Sequence, residues 1–168
     1  MVSTRDTRHL HPEIWDALQE VLDPEIPTLS IVDLGIVTGV STPAEDAVEV
    51  KLTPTFSGCP ALKIMEQLVE DRLKLAGWRN VKVYTSFDVA WNSNMISEAG
   101  LAALHKHGLA PPPRHDGYIE LDVLSDVPCP LCGSRNTTMK TPFGPTLCRS
   151  MHYCNHCSNA FESFKPVS

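Results

Sequence analysis

Six cysteines carry most of the chemistry open to this sequence: Cys59, Cys129, Cys132, Cys148, Cys154 and Cys157. Four of them form two C-x2-C pairs, Cys129-Pro130-Leu131-Cys132 and Cys154-Asn155-His156-Cys157, separated by 21 residues. Each pair suits a tight turn whose amides point at sulfur. Two such turns brought together make a tetrahedral four-thiolate site for a soft or borderline cation. Gly133, directly after the first pair, gives the freedom that such a turn needs. All-cysteine sites in ribbons are closed and structural, which points to one structural zinc per chain at Cys129, Cys132, Cys154 and Cys157. The same ligands also hold a rubredoxin-like iron or an iron–sulfur cluster. Two disulfides are the least favoured use of them in a chain read as cytoplasmic. His152 and His156 lie beside the second pair, but the spacing is complete without them, and both read as exposed hairpin residues. Cys148 is a fifth thiol, expected to be a small, partly buried side chain.

Cys59 stands apart, in Ser57-Gly58-Cys59-Pro60 at the entrance to a predicted helix. Unpaired amides and the partial positive charge of a helix N-terminus favour thiolate. Thr53, Thr55 and Ser57 add hydroxyls to the same loop, and this geometry suits a nucleophile or a metal ligand. No histidine lies close in sequence to act as its base. On its residues alone, a structural role outranks a functional one for Cys59, and turn or cap chemistry is the expected role of Asp23, Glu25 and Asp33.

The elements that must position these groups divide along the chain. Pro12 suits a first helical position, and Ile14, Leu18, Val21 and Leu22 share a face, so a helix is predicted from Pro12 to about Leu22. Asp23-Pro24 and Ile26-Pro27 break it. Strands follow at Ile36–Val40 and Val48–Leu52, with a turn over Ser41–Asp46 between them. Pro60 opens a second helix carrying Ala61, Ile64, Met65, Leu68, Val69 and Leu75 at helical spacing, with Gly77 as its stop. A third strand covers Val81–Thr85 and a last helix Asn94–His107, ended by Gly108. The order α-β-β-α-β-α predicts a small α+β domain, a three-stranded sheet packed with helices, over residues 1–110. The proline run at Pro111–Pro113 starts a linker over 111–128, with a short strand predicted at Tyr118–Val123. Residues 129–168 form the ribbon, with strands predicted at Thr137–Lys140 and Met151–Tyr153. Its only core candidates are Leu131, Met139, Phe143, Leu147, Phe161 and Phe164, too few to fold alone, so metal binding must supply much of its folding free energy.

At 168 residues, 42% hydrophobic and 20% charged, the chain can bury a core of its own. The formal charge of −6 disfavours a nucleic-acid-coating protein. Residues 1–110 carry −6, 111–128 carry −3 and 129–168 carry +3. Metal-bound thiolates reduce the last value, and the tail lacks the dense Arg/Lys stripe of a nucleic-acid module. No apolar run spans a bilayer and the N-terminus holds no apolar signal core, so a soluble, cytoplasmic protein is expected. No Gly-rich phosphate loop, paired catalytic carboxylates or His–Cys nucleophile motif marks an enzyme.

Taken together, Asp23-Pro24-Glu25-Ile26-Pro27, Ile31-Val32-Asp33-Leu34-Gly35 and Ser57-Gly58-Cys59-Pro60 resemble the small iron–sulfur-assembly domain family. Trp91 with Met95-Ile96-Ser97-Glu98-Ala99 is similar to that family's last loop and helix. The resemblance covers about residues 11–110. With the ribbon, and Phe143-Gly144-Pro145-Thr146-Leu147-Cys148 between its cysteine pairs, the layout resembles the PaaD family of accessory proteins of bacterial phenylacetyl-CoA epoxidase. Thr53-Pro54-Thr55-Phe56-Ser57 departs from the family's usual approach to Gly-Cys-Pro but keeps those three residues. The resemblance implies a non-catalytic factor in phenylacetate catabolism that assembles or delivers an iron–sulfur or di-iron cofactor, or else a stoichiometric subunit of the complex with structural zinc. It makes Cys59 the cluster-handling thiol, with Asp33 nearby, binding a transient iron–sulfur cluster. It implies the epoxidase oxygenase and reductase subunits and the iron–sulfur assembly machinery as partners, and it leaves a homodimer open.

Overall fold

The computed structural model describes residues 8–119 and 125–168 and forms two compact units, one ending at Trp91 and the other beginning at Asn92. In the first unit, helix α1 (Pro12–Gln19) has Pro12 in its first turn, as predicted, and buries Ile14, Ala17 and Leu18. It stops before the expected Leu22, because Leu22 makes an antiparallel bridge with Ser30 and the Asp23 amide donates to the Leu29 carbonyl at 2.8 Å. The Asp23 carboxylate closes this turn by accepting from the amides of Glu25 (2.8 Å) and Ile26 (2.9 Å). The turn role expected for Asp23 is therefore present.

Strands β1 (Val37–Ala44), β2 (Ala47–Leu52) and β3 (Asn80–Thr85) form a sheet in that order, β1 antiparallel and β3 parallel to β2. The segment expected as a turn from Ser41 belongs to β1 as far as Ala44. Pro43 is tolerated there because β1 is an edge strand, with irregular register between Ser41 and Ala44. Helix α2 (Leu62–Leu75) makes the crossover that a parallel pair requires. It buries Met65, Val69 and Leu73. Ile64, Leu68 and Leu75, predicted at helical spacing together with Met65 and Val69, are 53%, 39% and 81% exposed. Val48, Val50 and Leu52 alternate into the core, and Trp91 closes the unit by donating from Nε1 to the Leu34 carbonyl at 3.0 Å.

The second unit begins with a 3-10 turn at Ser93–Met95, then α3 (Glu98–Lys106). The single helix expected from Asn94 is interrupted at Ile96, whose backbone is extended, and restarts where the Ser97 hydroxyl accepts from the Gly100 amide at 2.9 Å. Its sheet runs β4-β7-β6-β5, from β4 (Leu109–Ala110), β5 (Thr137–Thr141), β6 (Arg149–Cys154) and β7 (Asn159–Phe164). β5 and β6 contain the two predicted ribbon strands, while β4 and β7 have no counterpart among the predicted elements. Because β4 pairs in parallel with Glu162–Ser163, α3 and β4 fall in this unit rather than with the first sheet. The predicted strand Tyr118–Val123 lies for the most part outside the described residues. Phe161 and Phe164 are buried here as expected, but Leu131, Phe143 and Leu147 are exposed.

Candidate metal centre and the Cys59 loop

The two C-x2-C pairs meet because β5 and β6 are joined in register, Thr137 opposite Cys154. The first knuckle is closed by the Cys129 amide donating to Ser134 (2.9 Å) and the Gly133 amide donating to Cys129 (2.8 Å). Gly133 has φ 74°, the left-handed conformation for which glycine was expected. In the second knuckle the Cys157 amide donates to the Cys154 sulfur at 3.5 Å. Asn155 ties the knuckles together, its amide donating to the Asn136 carbonyl at 2.9 Å and its side chain to Asn136 Oδ1 at 3.1 Å.

The Sγ atoms of Cys129, Cys132, Cys154 and Cys157 all lie within 4.8 Å of one another. Cys129 is 3.8 Å from Cys157, and Cys132 is 3.6 Å from Cys154. A tetrahedral centre with metal–sulfur bonds of about 2.3 Å needs sulfur–sulfur edges of about 3.8 Å. The donor set therefore fits a thiophilic cation. The electrostatics lead to the same place. The Asn159 side chain, outweighing desolvation with help from the neighbouring thiols, holds Cys157 down at about 6. At Cys132 the Ser134 amide favours thiolate, but desolvation and the three neighbouring sulfurs outweigh it and push the thiol up to about 12. Four thiolates this close do not ionise together without a cation between them.

His152 is not the exposed residue its hairpin position suggested. It is 1% exposed, stacks on Phe161 with ring centroids 5.3 Å apart and shares a 2.9 Å hydrogen bond with Ser150 Oγ. Burial lowers its pKa, so it sits as a neutral core side chain. Its stacking partner belongs to β7, a strand that local sequence did not mark. His156 is exposed as expected. Cys148 is half-buried, with its sulfur 3.1 Å from Thr146 Oγ1.

Cys59 lies in the other unit as a half-buried free thiol. Gly58 has φ 85°, which turns the chain into Cys59, and α2 begins at Leu62 rather than at Pro60. The expected thiolate-favouring field is overruled. Burial raises the Cys59 pKa most, Glu25 and Asp23 raise it further by their charge, and the amides of Ala61 and Leu62 only partly offset them. Asp33, expected near the thiol, accepts from the Gln19 side chain. The Thr53 hydroxyl, expected to serve the loop, donates instead to the carbonyls of Ser86 (2.9 Å) and Val89 (3.2 Å) and is buried. Beside the loop, Thr53, Pro54, Thr55 and Ser57 face Phe87 and Val89 across a cavity of about 230 Å³. The carboxylates of Asp23 and Glu25 escaped the sequence reading as partners of Cys59. The only signal was the Asp23-Pro24-Glu25 motif itself, which reads locally as a turn. Among the described residues no helix is long and apolar enough to cross a membrane.

Comparison with known proteins matches both halves separately. Residues 12–84 match the family described as iron–sulfur cluster assembly protein, and residues 118–165 match the PaaD zinc beta ribbon domain. A protein of Escherichia coli (strain K12), named as a subunit of a "Putative 1,2-phenylacetyl-CoA epoxidase", is 35% identical over 92% of both chains. An "Fe-S protein maturation auxiliary factor" of Porphyromonas gingivalis is 34% identical over 55% of this chain and 88% of its own. The crystal structure of a domain of unknown function, DUF59, from Bacillus anthracis superposes with a TM-score of 0.52 at 23% identity, over 58% of this chain and 92% of its own, which shows the shared fold. With an iron–sulfur-assembly fold, a four-cysteine ribbon and an end-to-end relative named as an epoxidase subunit, the chain belongs to the PaaD family.

Proposed function

We propose that this protein is a non-catalytic maturation factor of a multicomponent phenylacetyl-CoA epoxidase, helping to assemble or deliver its iron–sulfur or di-iron cofactor. The observation that carries the reading is the separation of two kinds of thiol. The four ribbon sulfurs lie close enough together to share one cation, and a tetrahedral site built from all four would leave no position for a substrate. In this reading they hold one structural zinc. Cargo chemistry then falls to Cys59, a free thiol in the unit that matches the iron–sulfur cluster assembly family.

The environment of Cys59 suits a ligand that must let go. Iron binds the thiolate, so its arrival displaces the thiol proton, and departure of the metal returns it. A thiol whose pKa is raised by burial, Glu25 and Asp23 is protonated at neutral pH and gives up a bound metal to a client more readily than a stabilised thiolate does. The oxygenase and reductase subunits are the proposed clients, with the iron–sulfur assembly machinery as the proposed source. Co-expression of the epoxidase with the wild type or with Cys59→Ala tests this. Iron and cluster content of the purified client is expected to fall with the variant, and equal loading overturns the role of Cys59.

The word "subunit" in the name of the Escherichia coli relative favours a second reading, a stoichiometric component of the complex. Co-purification separates the two. Active epoxidase without this chain supports the maturation factor, and a stable one-to-one presence supports the stoichiometric component. Elemental analysis with absorption spectra of anaerobically purified protein decides the ribbon metal. A single colourless zinc is expected, and a coloured iron species there overturns the structural assignment.

A further inference from the structure

The two C-x2-C turns follow one backbone course. In the first, the Cys129 amide donates to the Ser134 carbonyl at 2.9 Å, so four residues are enclosed and Gly133 is the last of them. In the second, Cys154 at the end of β6 pairs with Asn159 at the start of β7, again enclosing four residues, and Ser158 is the last. Both last residues are left-handed, Gly133 at φ 74° and Ser158 at φ 56°. Glycine takes that conformation without steric cost, whereas the Cβ of serine crowds its own backbone. Among the described residues Ser158 is the only one other than glycine with a positive φ. Such a residue persists where its surroundings over-determine it. Here the β6–β7 pairing closes the turn, and the Asn159 side chain donates to the Cys157 carbonyl at 2.8 Å, fixing the peptide that leads into Ser158.

The two turns therefore grip a shared cation unequally. Strain that is present in a closed turn and absent from the open one lowers the affinity for whatever closes it. Ser158 directly follows Cys157, so relief of its backbone and departure of the Cys157 sulfur go together. We propose that the second turn is the half of the ribbon metal site that opens first, with Cys157 as the ligand that lets go. Solvent access points to a different sulfur, because Cys132 is the exposed ligand and Cys157 is half-buried. Nothing in the first turn drives Cys132 away, however. Gly133 is unstrained there, and its amide closes the turn on the Cys129 carbonyl at 2.8 Å. Ser158 thus holds the ribbon below the affinity that its four thiolates allow, and makes the site exchangeable from one side. This requires that the ribbon binds a cation, as read above, and does not depend on the role proposed for Cys59.

The test uses the full chain loaded with zinc, and competition with a chromophoric chelator gives the affinity. Ser158→Gly is expected to tighten zinc by about fivefold, since the left-handed cost disappears while the freer unfolded chain offsets part of the gain. Ser158→Asn, which tolerates this conformation better than serine, should tighten it by less. Ser158→Ala should leave it unchanged, because the Cβ and not the hydroxyl carries the cost. Gly133→Ala should weaken it by about fivefold, by placing the same strain in the first turn. Site-resolved alkylation of the zinc-loaded protein, read by mass spectrometry, gives the order of opening. Cys157 is expected before Cys132 in the wild type, and Cys132 before Cys157 in Ser158→Gly. Zinc affinity unmoved by Ser158→Gly, or an order of labelling that this variant does not change, overturns the proposal. A wild type that binds neither zinc nor iron overturns the ribbon metal site as well, whereas unchanged affinity with zinc bound overturns only the unequal grip.

Discussion

At the scale of single residues, Cys59 shows how a local rule is present and still loses. The amides of Ala61 and Leu62 do favour its thiolate, as a helix entrance should, but burial and the charges of Glu25 and Asp23 prevail. The sign is testable. A carboxylate beside a thiol disfavours the thiolate, so Glu25→Gln should lower the Cys59 pKa. Site-resolved alkylation by iodoacetamide, followed by mass spectrometry across pH, should place the wild-type midpoint above that of an ordinary thiol and the variant's at lower pH. Alkylation of Cys59 at neutral pH should then be faster in the variant, since thiolate is the reactive form. An unchanged or higher midpoint would show that Glu25 does not act on this sulfur. The four ribbon cysteines were legible from spacing alone because their partners lie within two short turns. The environment of Cys59 was not, because Asp23 and Glu25 act on it only through the tertiary path of the chain.

At the scale of elements, the loop into α2 depends on Gly58. With φ 85° and no atom within 4 Å of where a Cβ would stand, the site rejects an L side chain through backbone conformation alone. Gly58→Ala should therefore destabilise the first unit by about 1–2 kcal/mol, the cost of a left-handed L-residue. The measurement is the urea midpoint at constant slope. A rise in stability, which Gly→Ala gives at ordinary φ by restricting the unfolded chain, would contradict this. Element positions were otherwise readable where periodicity was unambiguous, as in Val48–Leu52 and Val81–Thr85, which β2 and β3 contain. Helix α2 was readable as a helix but not in its orientation. Met65, Val69 and Leu73 compete with Ile64, Leu68 and Leu75, and both sets satisfy helical spacing, so only packing against the sheet chooses between them. Strand β4 has two residues and is defined by its pairing with β7, a long-range fact with no local signature.

At the scale of the whole molecule, the two units are held by different physics. The first has aliphatic layers from Ile14, Leu18, Val48, Val50, Val69 and Leu73, all fully buried, which is a core sufficient in kind for a domain of its size. In the second, among the described residues, the cluster that contains the ribbon cysteines consists of Ala110, Val127, Cys129, Cys154 and Phe161, with Cys157 packed against them. Two of those five buried residues are metal ligands, so the cation and this part of the core are one structure, and the free energy of metal binding is folding free energy there. Chelation should accordingly act on one unit. On removing the metal from the intact chain, proteolytic cleavage within residues 129–168 should rise sharply, and amide protection should be lost across β5, β6 and β7. Amides of α1, α2 and β2 should keep their protection, because their burial owes nothing to sulfur. Cys154→Ser should reproduce the same pattern without a chelator. Lowering the pH should do so too, because protons compete with the metal for the thiolates. Loss of protection in both units at once would show that the metal site carries the stability of the entire chain. Unchanged protection in the ribbon would show that its few buried side chains suffice without the metal.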